Sequence, residues 1–182
     1  VGTLGLVLQP LAQATTAVVR AAGAECVVMV DPNCRPSILE GSSTFAPAWA
    51  AVLERADVVK VSGDDLAYLW PDREPLEAAR ELQRTSGAAV LFTDGAASVH
   101  VLTRTGAAEL AVPRVAVVDT VGAGDAFSGG FLAQWQASGR ARSDLQVLDA
   151  VVQAAQFGIR VAALTCQRAG AQPPFTAELE TR

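Results

Sequence analysis

Lysine, histidine and methionine each occur once in these 182 residues, at Lys60, His100 and Met29. The single lysine is far in sequence from any glycine-rich stretch, so the Gly-Lys-Ser/Thr core of a P-loop is absent. One histidine and three widely spaced cysteines, Cys26, Cys34 and Cys166, with no C-x-x-C pair, exclude a transition-metal ligand set and a disulfide framework. The thiols read as reduced and buried, in a cytosolic, cytoplasmic protein. No apolar run approaches the roughly 18 residues of a membrane span, and no basic-then-apolar leader ends in a cleavage site. With a net charge of −5 and arginines scattered at 20, 35, 55, 73, 80, 84 and 104, there is no basic footprint, so neither nucleic acid nor membrane is an expected partner. What remains is a chain 51% hydrophobic and 18% charged, long enough for one domain with a sizeable core and free of repeats, linkers and low-complexity segments.

Apolar periodicity divides it into alternating strands and helices. Residues 4–8 read as a buried strand ending at Gln9-Pro10, 11–23 as a helix stopping at glycine, and 26–30 as a strand running into Asp31-Pro32-Asn33-Cys34-Arg35-Pro36. A helix over 45–56 leads to a strand over 57–61, followed by Ser62-Gly63-Asp64-Asp65. Residues 75–87 form a charged amphipathic helix, and 89–92 a strand ending in the small-residue loop 93–98, which lets a ligand approach the backbone. Residues 99–103 and 109–112 flank Arg104-Thr105-Gly106 as a hairpin at the sheet edge, and 144–166 read as a long alanine-rich helix. This order predicts βαβ units, hence an α/β fold with three α/β/α layers around a largely parallel sheet. If residues 31–35 are extended, Asp31, Asn33 and Arg35 share one face at the carboxyl end of a strand, where such sheets bind ligands; a polar turn stiffened by prolines is the alternative.

One stretch concentrates the chemistry. Val115, Val117 and Val118 read as a strand end, Gly122 and Gly124 force a tight turn, and Asp125 opens a segment with helical apolar spacing. Phe127 stands where a dinucleotide fingerprint needs its third glycine, which excludes that reading. The unpaired N–H groups of Gly122, Ala123 and Gly124 then face outward at the positive end of a helix dipole, a place that suits a phosphate. Asp125 sets a carboxylate able to accept a proton beside that cradle; the bland alternative is an ordinary first-turn acid. Gly129 and Gly130 lower helix stability by about 1 kcal/mol each relative to alanine, so close packing or ligand approach is expected to retain them.

The run Asp119-Thr120-Val121-Gly122-Ala123-Gly124-Asp125-Ala126-Phe127 resembles the second signature of the PfkB carbohydrate kinases, the ribokinase-like family, and within it the bacterial fructokinases. The likeness continues through Asp31-Pro32-Asn33-Cys34-Arg35-Pro36, Thr93-Asp94-Gly95-Ala96 and Thr165-Cys166-Gln167-Arg168-Ala169-Gly170-Ala171, in the family's order. It implies ATP-dependent phosphorylation of a sugar primary hydroxyl, most closely that of fructose, with Asp125 as base. Substrate contacts fall to Gln9, Asp31, Asn33 and Arg35, and ATP contacts to Ser62, Thr93, Asp94, Gly95, Ala96, Ser98, Gly124, Gly158 and Ile159. Asp65 stands where the family orients magnesium through water. Asp119, Val121, Thr165, Arg168 and Gly170 match positions that in relatives bind a monovalent cation such as potassium.

From the residues alone, several of these positions have a second reading: Gln9 as a strand-end polar residue, Asp64 and Asp65 as helix caps, and Gly158 and Ile159 as plain helix packing. Val1 is not a retained initiator, and in the family an N-terminal part precedes this point, with the first strands, the β lid and most sugar contacts. The resemblance therefore makes residues 1–182 the C-terminal portion of one kinase domain, expected to turn over no sugar alone, with the full-length protein pairing as a homodimer through the lid. Two other functions stay open at this level: a kinase for a sugar acid such as 2-keto-3-deoxygluconate, with Arg35 on the carboxylate, and a non-catalytic nucleotide-binding remnant.

Overall fold

The structure, a computed structural model, describes residues 1–180. Five strands lie in the order β1 (Met29–Val30), β2 (Val58–Ser62), β3 (Ala89–Asp94), β4 (Ser98–Thr103) and β5 (Gly106–Ala111). β1, β2 and β3 are parallel, while β3, β4 and β5 form an antiparallel meander, so the sheet is mixed and parallel only in its first part.

Helices α1 (Leu4–Val7), α2 (Leu11–Ala21), α3 (Pro36–Leu39), α4 (Phe45–Leu53), α5 (Gly63–Leu69) and α6 (Pro75–Ser86) precede β3; α7 (Ala123–Ala137), α8 (Leu148–Thr165) and α9 (Thr176–Glu180) follow β5. The strand period of two sorts side chains to two cores. Val59, Val61, Val90 and Phe92 pack with α2, α4, α5 and α6, whereas Val58, Leu91, Val99 and Val101 pack with α7 and α8. Three layers, α/β/α, result, as the sequence predicts.

Local signals account for the best-matched elements. Pro75 starts α6, the Glu74 carboxylate accepts from the N–H of Glu77, and Gly87, with φ of 70°, closes the helix in the left-handed region. Other expectations fail. Residues 4–8 are not a strand: the Val1 amino group donates to the Met29 carbonyl, and Asp31 N–H donates to the Val1 carbonyl. Ladder pairing of this segment with β1 stops there, because the Thr3 hydroxyl is taken up by the Pro32 and Asn33 carbonyls, and the chain turns into α1 with Leu6 buried. Residues 115–118 form no strand either; Val117 and Val118 are exposed, and the N–H groups of Val118 and Asp119 pair with the Cys166 carbonyl instead of a neighbouring strand. The long final helix is preceded by a separate 3-10 turn at Arg142–Gln146. Among the described residues no helix is long and apolar enough to cross a membrane.

Candidate active site

The parallel strands β1, β2 and β3 end at one edge of the sheet, and the start of α7 is set beside that edge. Gly122 caps α7 with φ of 78°, a conformation that disfavours a side chain, and a Cβ there would lie 2.5 Å from the Cβ of Ala171. The tight turn is thereby seated on the segment after α8. Asp119 fastens the two together: its carboxylate accepts from the N–H of Val121 at 3.0 Å and of Gly170 at 2.9 Å. These backbone bonds hold its carboxyl below the usual carboxylate range.

Among the described residues, the N–H groups of Gly122, Gly124 and Asp125 have no hydrogen-bond partner. Ala123 departs from expectation, since its N–H donates to the Thr120 carbonyl at 3.2 Å. The donors left unpaired at this helix start are therefore 122, 124 and 125. Asp125 is exposed and borders a cleft of about 230 Å³, together with Ser128 and Leu132 from the same helix. Asp31 and Asn33 line it as well, and Val1, Gly2 and Met29 complete the wall.

Asp31 and Asn33 reach this cleft, but residues 31–35 are not extended. Asn33 has φ of 42°, and its N–H donates to its neighbour Asp31 at 3.0 Å, a turn that breaks the alternation. Arg35, outside the cleft lining, directs its guanidinium to the Cys34 carbonyl. Gln9 is exposed in the link between α1 and α2 and does not line the cleft.

Lys60 is the residue that sequence reasoning passed over. Strand parity puts it on the face of β2 that bears α7. Its side chain is 7% exposed, and its Nζ is 2.8 Å from Asp31 Oδ2. A Cβ on Gly124 would lie 3.0 Å from that ammonium, so glycine here admits the lysine. Burial raises the Asp31 pKa, and the Lys60 charge opposes that rise. The available signal was a lone lysine inside Val58-Val59-Lys60-Val61, which requires a buried acidic partner.

The nucleotide-side expectations separate. Thr93, Asp94 and Ser98 belong to strands, paired Thr93 with Val99 and Asp94 with Ser98, so the loop shrinks to the tip 95–97. Asp94, Gly95 and Ala96 are exposed at the cleft's edge of the sheet without lining the cleft; Ser98 is buried, its hydroxyl 3.1 Å from His100 Nε2. Gly158 and Ile159 sit at the contact between α8 and its neighbours. A Cβ on Gly158 would meet the Phe127 carbonyl at 2.7 Å, and Ile159 is buried in the core, so helix packing explains both.

Asp65 is 2% exposed and closes a capping box with Ser62. Its carboxylate accepts from the N–H and hydroxyl of Ser62 and from the N–H of Cys34, so most of its acceptor capacity is used within the protein. Of the monovalent-cation set, Asp119, Val121 and Gly170 come together. The Thr165 hydroxyl donates to the Val161 carbonyl, and Arg168 pairs with Glu178. Among the described residues no cluster of three His, Cys, Asp or Glu side chains can hold a metal ion.

Comparison with known proteins places the chain in a family. The model of the pfkB family of carbohydrate kinases matches residues 1–178. A probable chloroplastic fructokinase of Arabidopsis thaliana is 28% identical over 178 residues, which is 94% of this chain and 45% of that protein. A solved structure of the aminoimidazole riboside kinase from Salmonella enterica, complexed with aminoimidazole riboside and an ATP analogue, superposes with a TM-score of 0.83 at 28% identity, covering all of this chain and 60% of that one. The fructokinase of Vibrio cholerae, with fructose, ADP and calcium bound, gives a TM-score of 0.80 at 27% identity over 100% of this chain and 58% of that one. The chain thus spans roughly half the length of the proteins it matches. A family match over nearly every residue, joined by fructokinase relatives and a shared fold, shows that this chain belongs to the pfkB family of carbohydrate kinases.

Proposed function

We propose that the full-length protein transfers the γ-phosphoryl group of ATP to a primary hydroxyl of a sugar, with fructose as the acceptor. The observation that carries this reading is the placement of the Asp125 carboxylate on a cleft beside the unpaired N–H groups of Gly122 and Gly124. Asp125 takes the proton of the acceptor hydroxyl as its oxygen bonds to phosphorus, and the bond from phosphorus to the leaving ADP oxygen breaks. The amides at 122, 124 and 125 stabilise the charge on the phosphoryl oxygens, with the Lys60 ammonium directly behind Gly124. Asp94, Gly95 and Ala96, at the same sheet edge, serve the nucleotide.

A magnesium ion would be held by the nucleotide phosphates and would neutralise their charge, with Asp65, bonded within its capping box, reaching it at most through water. The junction that Asp119 ties together is our candidate for a potassium-type ion, bound through backbone oxygens. Fructose is favoured by the fructokinase likeness. A sugar acid is disfavoured, since Arg35 is turned to the Cys34 carbonyl while two carboxylates, Asp31 and Asp125, border the cleft. A coupled ADP-release assay on the full-length protein tests this. Asp125→Asn is expected to lower fructose turnover by about 10³-fold while ATP binding persists; turnover within a few-fold of the wild type removes Asp125 as the base.

A further inference from the structure

Hydroxyls in the helices of this protein commonly donate to the carbonyl four residues back: Thr16 to Ala12 at 2.8 Å, Ser86 to Leu82 at 2.7 Å and Thr165 to Val161 at 2.8 Å. Ser128, in the second turn of α7, makes no such bond. Its Oγ is shut off from solvent and has no partner among the described residues. A donor and two lone pairs are thus left unmet, against the rule that buried polar groups are paired. Ser128 as a residue nonetheless lines the cleft, between Asp125, three residues before it, and Leu132, four residues after, so a turn about its Cα–Cβ bond is enough to present the hydroxyl there. Trp135 Nε1 is also unpartnered, but it stands outside the cleft lining, with its ring stacked on Phe131 and under Arg140.

The chemistry that fits this hydroxyl is neutral. The Asp31 charge is offset by Lys60, while Asp125 borders the same cleft without an ion pair among the described residues and disfavours an anion there; a polyol offers hydroxyls that both donate and accept. Leu132 beyond Ser128 supplies an apolar surface for the carbon skeleton of such a ligand. Resting on the sugar-kinase reading above, we propose that Ser128 is a substrate-binding residue whose Oγ hydrogen-bonds a second hydroxyl of the acceptor sugar, one turn of helix away from the hydroxyl that Asp125 deprotonates. Asp125 and Ser128 then act as a two-point gauge along α7, and the sugar's orientation is set by the hydroxyl at Ser128.

The test is calorimetric titration of the full-length protein with D-fructose and with each of its monodeoxy analogues, in the presence of a non-hydrolysable ATP analogue. Ser128→Ala is expected to weaken fructose binding about tenfold and leave the ATP-analogue affinity unchanged. For one monodeoxy sugar, wild type and Ser128→Ala bind alike, while the variant's deficit persists for the others. Equal fructose affinity in the two proteins, or a deficit that persists across the whole panel, overturns the assignment of Ser128 and leaves the role of Asp125 standing. Should the variant not fold, the wild type alone decides: a panel in which no single hydroxyl costs affinity overturns the proposal. A wild type that binds no polyol overturns both this inference and the sugar-kinase reading.

Discussion

Asp119 does its work with backbone partners only. Both carboxylate oxygens accept amide hydrogens, one within its own turn and one from Gly170, 51 positions away, and the carboxyl is held below its ordinary range by those bonds. Stability from a depressed acid is complete above the unfolded pKa and is lost as pH falls through the folded one. Asp119→Asn keeps one acceptor and turns an amide N–H₂ toward the other donor, so it should lower the urea midpoint at pH 7. The gap to wild type should narrow as the pH is taken below about 4. A gap that stays constant from pH 7 to pH 3 would show that the ionised form contributes nothing.

α7 and α8 approach each other through glycine. A Cβ on Gly130 would lie 2.8 Å from Val161 Cγ2 and 3.0 Å from Gly158 Cα, whereas one on Gly129 meets nothing within 4 Å. Adjacent glycines therefore predict opposite outcomes in chemical denaturation. Gly130→Ala should destabilise by about 1–3 kcal/mol through overpacking, and Gly129→Ala should stabilise by up to about 1 kcal/mol through helix propensity. Equal effects of the two would mean that helix contact is not what retains Gly130. The elements themselves were legible wherever a local signal was strong: Pro75 and Gly87 bounding α6, Arg104-Thr105-Gly106 turning β4 into β5, and Gly122 opening α7. Residues 4–8 were not, because a short run with apolar residues at positions 4, 6, 7 and 8 satisfies both periods, and the deciding contact is made by Thr3 with residues 32 and 33. Lys60 was not legible either. Its role depends on α7 crossing the same face of the sheet, a relation between segments more than 60 positions apart.

At the level of the whole molecule, the opposite edge of the sheet from the cleft has its own fastening. Asp57, just before β2 and 8% exposed, accepts the N–H of Val28 and pairs with Arg55 from the end of the α4 segment and Arg142 from the turn before α8. One carboxylate joins both helical layers to the sheet. Asp57→Ala leaves two guanidinium groups without their carboxylate, with only backbone carbonyls as partners, and should cost roughly 3 kcal/mol of folding stability. The folded fraction should keep its wild-type KM for sugar and ATP, measured at a temperature well below the transition. A raised KM with unchanged stability would contradict this division between a structural edge and a ligand edge. The division also constrains how the ligand edge can move. The amides of Gly122 and Gly124 and the carboxylate of Asp125 fall within four consecutive positions at one helix end. On the proposed reading they would move together, and a closure around bound reactants would leave the spacing between proton acceptor and phosphate cradle unchanged. What such a closure could adjust is the approach of the acceptor alcohol from the Asp31 wall of the cleft.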